Sequence, residues 1–249
     1  MPVLFQTQLS IKSNERTSGD INNFVVRINP TAHIEKISLE SISIPFTWYN
    51  IDSNNNNIRF NDGTQRNVSI PIGVYSASSI LTAIKTAMDG AASALVFTVT
   101  YNNNTKKITI AETGGPTNFV LQFNIQNSLG PILGYGLNDF TGAATYTANN
   151  VLDVNQNNHS ISIYSRELTR YNSRTITSNY KMPMLRIPNN ITLWGGIIEF
   201  ENIKDYVWDY DPGKTLQEID IRITDNNDND INFNGIDEIM LCFKIYSQI

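Results

Sequence analysis

The stretch IMLCFKIY, residues 239–246, decides the fold class of this chain. Apolar side chains occupy every second position, at Ile239, Leu241, Phe243 and Ile245. Because successive side chains of a strand point to opposite faces, this period of two indicates a β-strand with one buried face. The other face carries Met240, Cys242, Lys244 and Tyr246. Because this face mixes apolar and polar side chains, we predict that it is partly covered and not fully exposed to solvent.

The same alternation recurs along the chain and predicts further strands. They lie near residues 5–11, 24–28, 37–44, 96–101, 106–110, 119–123, 160–164, 197–200, 206–210 and 219–223. The two segments that flank residues 102–105 give the clearest hairpin pattern. The phase of the alternation slips by one residue near Ser41, which predicts a β-bulge there.

One segment has the spacing of a helix instead. Residues 76–88 place Ile80, Leu81, Ile84 and Met88 on one side of a helix, with serines available as N-caps and Gly90 just beyond the end. About eight to twelve strands with a single helix fit a two-sheet sandwich or jelly roll. A doubly wound α/β fold needs a helix after nearly every strand, so it is excluded.

The chain lacks a linker rich in proline or serine, and it lacks repeats of fixed period. This pattern favours one domain with long loops over two domains. We predict an N-terminal strand or arm at residues 1–20 and a jelly-roll domain at residues 21–249.

Composition limits the classes of partner. The formal net charge is −5 and the pI is about 5.0, so no basic face for nucleic acid is expected. Cys242 is the only cysteine, which excludes a disulfide within the chain. Residues 1–10 lack the features of a signal peptide, and no apolar run is long enough to span a membrane. We therefore expect an unsecreted, soluble chain.

Catalytic chemistry finds little support in the residues. The two histidines, His33 and His159, lie far apart in sequence and outside any nucleophile motif, so we predict no catalytic, cofactor or metal site. Acids cluster at Glu199, Glu201, Asp205, Asp209 and Asp211, among the aromatic residues Tyr206, Trp208 and Tyr210. Two such acids suffice for a glycosidase, but a solvated strand face with an aromatic opposite face is the favoured interpretation.

The segment from Asp230 to Gly235 copies the first half of a calcium-binding loop. The twelfth position of such a loop is a glutamate, and here it is Leu241. A short strand followed by an Asn234-Gly235 turn explains the segment better.

Four segments stand out together: residues 43–51, 68–75 leading into the helix, 132–135, and 231–235 before the last strand. They resemble penton-type minor capsid proteins of virophages and polinton-like viruses. The resemblance extends from about residue 35 to the end of the chain.

The resemblance implies a single jelly roll with two four-stranded antiparallel sheets. It implies homopentamers at the fivefold vertices of an icosahedral virion, assembled inside the host cell, with a double jelly-roll major capsid protein as second partner. Relatives often carry inserted domains for host attachment, and the length of this chain predicts that it lacks a large one. The N-terminal residues Phe5, Leu9 and Ile11 are candidates for an arm that reaches a neighbouring subunit.

Two rival functions stay open at this stage. The first is a carbohydrate-binding or receptor-binding sandwich, such as a fibre head or lectin, with Trp194, Trp208 and Tyr210 as an exposed aromatic platform. The second is a glycan-active enzyme that uses the acids between Glu199 and Asp211. Burial of the aromatic rings would count against the first.

Overall fold

The computed structural model describes residues 4–91, 94–115, 117–156, 159–169, 183–189, 194–204, 206–211, 213–236 and 238–248. The strands are β1 (Leu4–Lys12), β2 (Ser18–Asp20), β3 (Asn23–Thr31), β4 (Ile34–Pro45), β5 (Asn57–Asn61), β6 (Gln65–Ser69), β7 (Phe97–Tyr101), β8 (Ile108–Glu112), β9 (Phe119–Gln122), β10 (Asp139–Ala143), β11 (Thr145–Thr147), β12 (Ser160–Tyr164), β13 (Leu185–Pro188), β14 (Ile197–Glu201), β15 (Val207–Asp209), β16 (Leu216–Thr224) and β17 (Met240–Gln248). The α-helices are α1 (Ala77–Asp89), α2 (Gly130–Leu133) and α3 (Arg166–Thr169). None of the described helices is long and apolar enough to cross a membrane.

The chain forms two compact units. Unit 1 comprises Met1–Trp48 and Asn157–Ile249, and unit 2 comprises Tyr49–Gln156. This corrects the expectation of one domain without a large insertion, because unit 2 is inserted into unit 1 and has its own core. The reason is local: Trp48 is buried in the core of unit 1 and Ile51 in the core of unit 2. Only two residues separate these side chains, so no linker is visible in the sequence.

Unit 1 contains two antiparallel sheets. Sheet A has the strand order β1-β17-β4-β14, and β15 also pairs with β4. Sheet B has the order β13-β12-β16-β3-β2. Both β14 and β15 lie on the side of β4 that faces away from β17, so together they form one interrupted edge strand.

The strand order of unit 1 is that of a jelly roll. If β14 and β15 are taken as one strand and the short β2 is set aside, eight strands remain in chain order. Sheet A then reads first, eighth, third, sixth, and sheet B reads second, seventh, fourth, fifth. Two four-stranded sheets joined in this way are a jelly roll, as the sequence predicted. Unit 2 enters between the third and fourth of these strands, β4 and β12.

The core of unit 1 follows the predicted alternation. Leu241, Phe243 and Ile245 of β17 are buried opposite Ile42, Leu39 and Ile37 of β4. The pairing shifts between Cys242 and Phe243, which leaves Glu40 of β4 as an extra residue. This is the predicted bulge near Ser41, and it lets both halves of β4 keep their apolar side chains in the core.

Unit 2 has a sheet of order β10-β9-β5-β6, a second sheet of order β11-β8-β7, and helix α1. The predicted hairpin is formed by β7 and β8. The predicted helix is confirmed as α1, which buries Ile80, Ile84 and Met88. Ser76 caps it by accepting a hydrogen bond from the Ser79 backbone N–H.

Candidate functional site

The two histidines occupy separate positions in unit 1. His33 lies in the turn before β4 with a positive φ of 55°, and its carbonyl accepts a hydrogen bond from the Gln248 backbone N–H. His159 immediately precedes β12, and its carbonyl accepts from the Asn189 backbone N–H. In the described part of the chain, no three His, Cys, Asp or Glu side chains are arranged to hold a metal ion.

The acidic residues near β14 and β15 lie on a solvated strand face. Glu199 and Glu201 are exposed opposite Ser43 and Ser41 of β4, and Asp209 is exposed opposite Lys36. The intervening side chains of Phe200 and Trp208 pack against the core. Asp211 accepts a hydrogen bond from the Gly213 backbone N–H. Asp205 lies outside the described residues.

The structure does not bring Trp194, Trp208 and Tyr210 to one exposed face. Trp194 is 43% exposed, Trp208 is partly buried against the core, and Tyr210 is only 4% exposed. Trp208 lies opposite Ile37, whereas Gly195 donates its backbone N–H to the carbonyl of Phe46. These two points are nine residues apart, about 30 Å along the strand direction. A glycan platform of these three rings is therefore not favoured.

The segment that resembles a calcium-binding loop is held by bonds within the protein. Asp230 forms an ion pair with Arg222, and the Asn232 side chain accepts the Asn234 backbone N–H. Ile231 and Phe233 are buried in the core of unit 1. Asn234 and Gly235 both have positive φ, as a tight turn requires. The predicted turn is confirmed, whereas the predicted short strand is not: the described residues 231–233 form none.

The N-terminal candidates Phe5, Leu9 and Ile11 lie on one face of β1, which pairs with β17 along its whole length. Ile11 is buried, Leu9 is half-buried and Phe5 is 45% exposed. In the isolated chain this segment is thus a strand of sheet A. Its role as an arm that reaches a neighbour stays a prediction.

A polar cluster stabilises the outer face of sheet B. The carboxylate of Asp220 on β16 accepts hydrogen bonds from the backbone N–H groups of Arg166 and Glu167, from the Arg166 guanidinium and from the Ser165 hydroxyl. The Tyr210 hydroxyl donates to the Glu167 carboxylate. Burial alone raises the pKa of Asp220, but the two backbone donors and Arg166 outweigh it and hold this pKa below its ordinary value.

We expect Asp220→Asn to lower the free energy of unfolding at pH 7 by about 1–3 kcal/mol, because hydrogen bonds to a charged acceptor are lost. A carboxyl whose folded pKa is depressed stabilises the protein above its unfolded pKa and loses that contribution as the pH falls through the folded pKa. The difference between variant and wild type should therefore shrink below about pH 3.8. Urea unfolding at pH 7 and pH 3 measures both values.

The matched control for this prediction is Glu218→Gln on the same strand. Glu218 pairs with Arg27, and both side chains are well exposed. Exposed pairs contribute about 0–1 kcal/mol, so this change should have little effect at either pH. Equal losses for the two variants would contradict the role assigned to Asp220.

The edge of sheet A formed by β14 and β15 exposes apolar side chains, among them Ile203, which sequence analysis did not single out. We call Ile203, Tyr206 and Val207 the apolar knob; Ile203 is 88% exposed. Asn202 anchors this loop, since its side chain donates to the Ser38 hydroxyl and the Tyr206 carbonyl and accepts from the Tyr206 backbone N–H. In the sequence, Ile203 lies between polar residues in a turn, where apolar periodicity gives no signal.

The opposite edge of unit 1 contains a cavity of about 600 Å³. We call it the edge groove. Its walls come from β1 and β3, with Thr7, Leu9 and Ile28, and its floor includes Ile11 and Ile245. The short β2 pairs only with Asn23, Phe24 and Val25. Among the described strands, the rest of β3 is therefore the edge of sheet B, which leaves the groove open.

Comparisons with known proteins agree with this fold. Neither a protein-family model nor a curated protein matches the sequence. The crystal structure of the selenomethionine-labelled penton protein of mavirus is similar, with a TM-score of 0.54 and 12% sequence identity. The match covers 99% of this chain and 100% of the mavirus chain. This chain therefore has the fold of the mavirus penton protein over nearly its whole length.

Proposed function

We propose that this chain is a structural capsid protein, a penton-type subunit that forms homopentamers at the fivefold vertices of an icosahedral virion. The observation that carries the proposal is the jelly-roll strand order of unit 1, together with a structural match to a penton protein that spans both chains. The proposed partners are further copies of the chain and a double jelly-roll major capsid protein. The role is non-enzymatic and consists of assembly.

Assembly suits the physical properties of unit 1. Several large apolar side chains are exposed on its surface, among them Phe5, Ile203 and Tyr206. Ile203 and Tyr206 share the loop between β14 and β15, and exposed apolar side chains that lie together mark an interaction site. The charged fraction of the chain is 16%, which limits repulsion between identical copies.

The mass in solution tests the proposal. We expect multi-angle light scattering to detect a species of five times the 28.0 kDa chain mass, and electron micrographs to show rings with fivefold symmetry. The measurement is repeated with the major capsid protein of the same virus, because the proposed assembly includes that partner around the closed ring. A stable trimer, or a monomer at high concentration that also fails to join the major capsid protein, would overturn the proposal.

A further inference from the structure

We propose that copies of this chain associate head to tail, with the apolar knob of one copy seated in the edge groove of the next. This inference rests on the proposed homopentamer and deepens it by naming the contact between subunits. The partner is a second copy of this chain. Knob and groove both belong to unit 1.

The knob is held in an exposed position by the fold. The Asn202 backbone N–H donates to the carbonyl of Glu40, the bulge residue of β4, and the Asn202 side chain fixes Tyr206. Ile203 is therefore presented at the tip of a loop that is bonded to the sheet on both sides. Burial of such an exposed apolar side chain against a partner makes association more favourable, because it removes apolar surface from water.

The groove has the complementary character. Leu9 and Ile28 are half-buried on its walls, and Thr7 is exposed there. Its lining also includes Glu15, Arg27 and Asn29, which give it polar groups beside the apolar walls. Protein interfaces have the same arrangement, with an apolar centre and a polar rim.

Knob and groove lie on opposite edges of one sheet. In sheet A, β1 is at one end of the strand order and β14 with β15 at the other. A contact between two different surfaces of identical chains is heterologous, and it generates a ring when the rotation between copies closes. Placement on opposite edges thus favours a ring over a twofold dimer, in which each copy would use the same surface.

Charged groups lie at both surfaces. Glu15 lines the groove and Lys204 is exposed beside Ile203, whereas Arg27 of the groove is already paired with Glu218. The knob supplies the apolar centre of the contact, and the polar strand faces beside it supply the rest of the about 800 Å² that one partner contributes to a standard interface.

Cross-linking between two variants tests the contact directly. Both carry Cys242→Ser; one adds Ile203→Cys in the knob, and the other adds Thr7→Cys in the groove and a mass tag. We expect a short bis-maleimide to join the mixed chains at least about tenfold more than it joins Ile203→Cys to Gln6→Cys. Gln6 is the matched control because it is exposed on the same strand and does not line the groove. Knob-to-knob products, or equal linking of residues 6 and 7, would overturn the inference.

A substitution supplies an independent readout. Ile203→Asp should weaken self-association at least about thirty-fold, the equivalent of about 2 kcal/mol. Ile72→Asp in unit 2 is the control, since Ile72 is also exposed, at 52%. If the wild type forms pentamers and Ile203→Asp forms them equally well, the inference fails and the proposed function stands. If the wild type forms no pentamer, the mixed cross-link at high concentration decides the inference alone.

Discussion

The Phe243→Ala variant is expected to lose about 3–5 kcal/mol of unfolding free energy in unit 1. Phe243 is fully buried on β17, the strand that joins β1 to β4, and it lies between Leu9 and Leu39. Truncation removes apolar surface from the core and leaves a cavity between two sheets that cannot collapse easily. Since domains are stable by only about 5–15 kcal/mol, a loss of this size removes much of the folded population under mild denaturant.

The three tryptophans make this measurement selective. Trp48, Trp194 and Trp208 all belong to unit 1, so tryptophan fluorescence in a urea titration reports on the jelly roll alone. The control is Phe5→Ala, which truncates the same residue type at a position that is 45% exposed and should cost less than about 1 kcal/mol. If Phe243→Ala cost no more than Phe5→Ala, the strand order described for sheet A would be wrong.

Sequence patterns predict local structure here because the pattern and the structure have the same period. The alternation at Leu241, Phe243 and Ile245 predicts one buried face, and in β17 all three side chains are buried. The slip near Ser41 becomes the bulge at Glu40 because the partner strand keeps its register while β4 gains a residue. Ser76 caps α1 through a bond to a residue three positions away, which is visible in the sequence.

The features that sequence analysis missed depend on contacts between distant residues. The sequence around Trp48 and Ile51 does not show that these side chains belong to separate cores. Their assignment depends on which distant strands pack against each of them. The strands β10 and β11 lie outside the predicted strand segments, since Thr and Gly residues at a sheet edge lack apolar alternation. Ile203 was missed for the same reason: its exposure follows from the anchoring of Asn202 to β4.

The second large effect is expected in unit 2, where Gly130→Ala should cost about 3 kcal/mol or more. A Cβ atom at Gly130 would lie 2.2 Å from the Gly136 carbonyl oxygen and 2.6 Å from the Phe123 side chain. Neither neighbour can move without the loss of native contacts. The Gly130 carbonyl accepts the backbone N–H groups of Tyr135 and Gly136, and the Phe123 ring stacks on Tyr135 at 5.0 Å. The added methyl group must therefore break the turn after α2 or displace an aromatic pair of the core.

Hydrogen exchange measured by mass spectrometry locates the damage. Faster exchange is expected in β5, β9 and the 130–136 turn, whereas the tryptophan transition of unit 1 should move less, because the two cores share no residue. Gly115→Ala is the matched control: it has open space around its Cβ position and should stay within about 0.5 kcal/mol of wild type. If the proposed contacts between copies lie on unit 1, Gly130→Ala should still form the pentamer at temperatures where unit 1 is folded. Loss of the pentamer with an unchanged tryptophan transition would instead place an essential contact on unit 2.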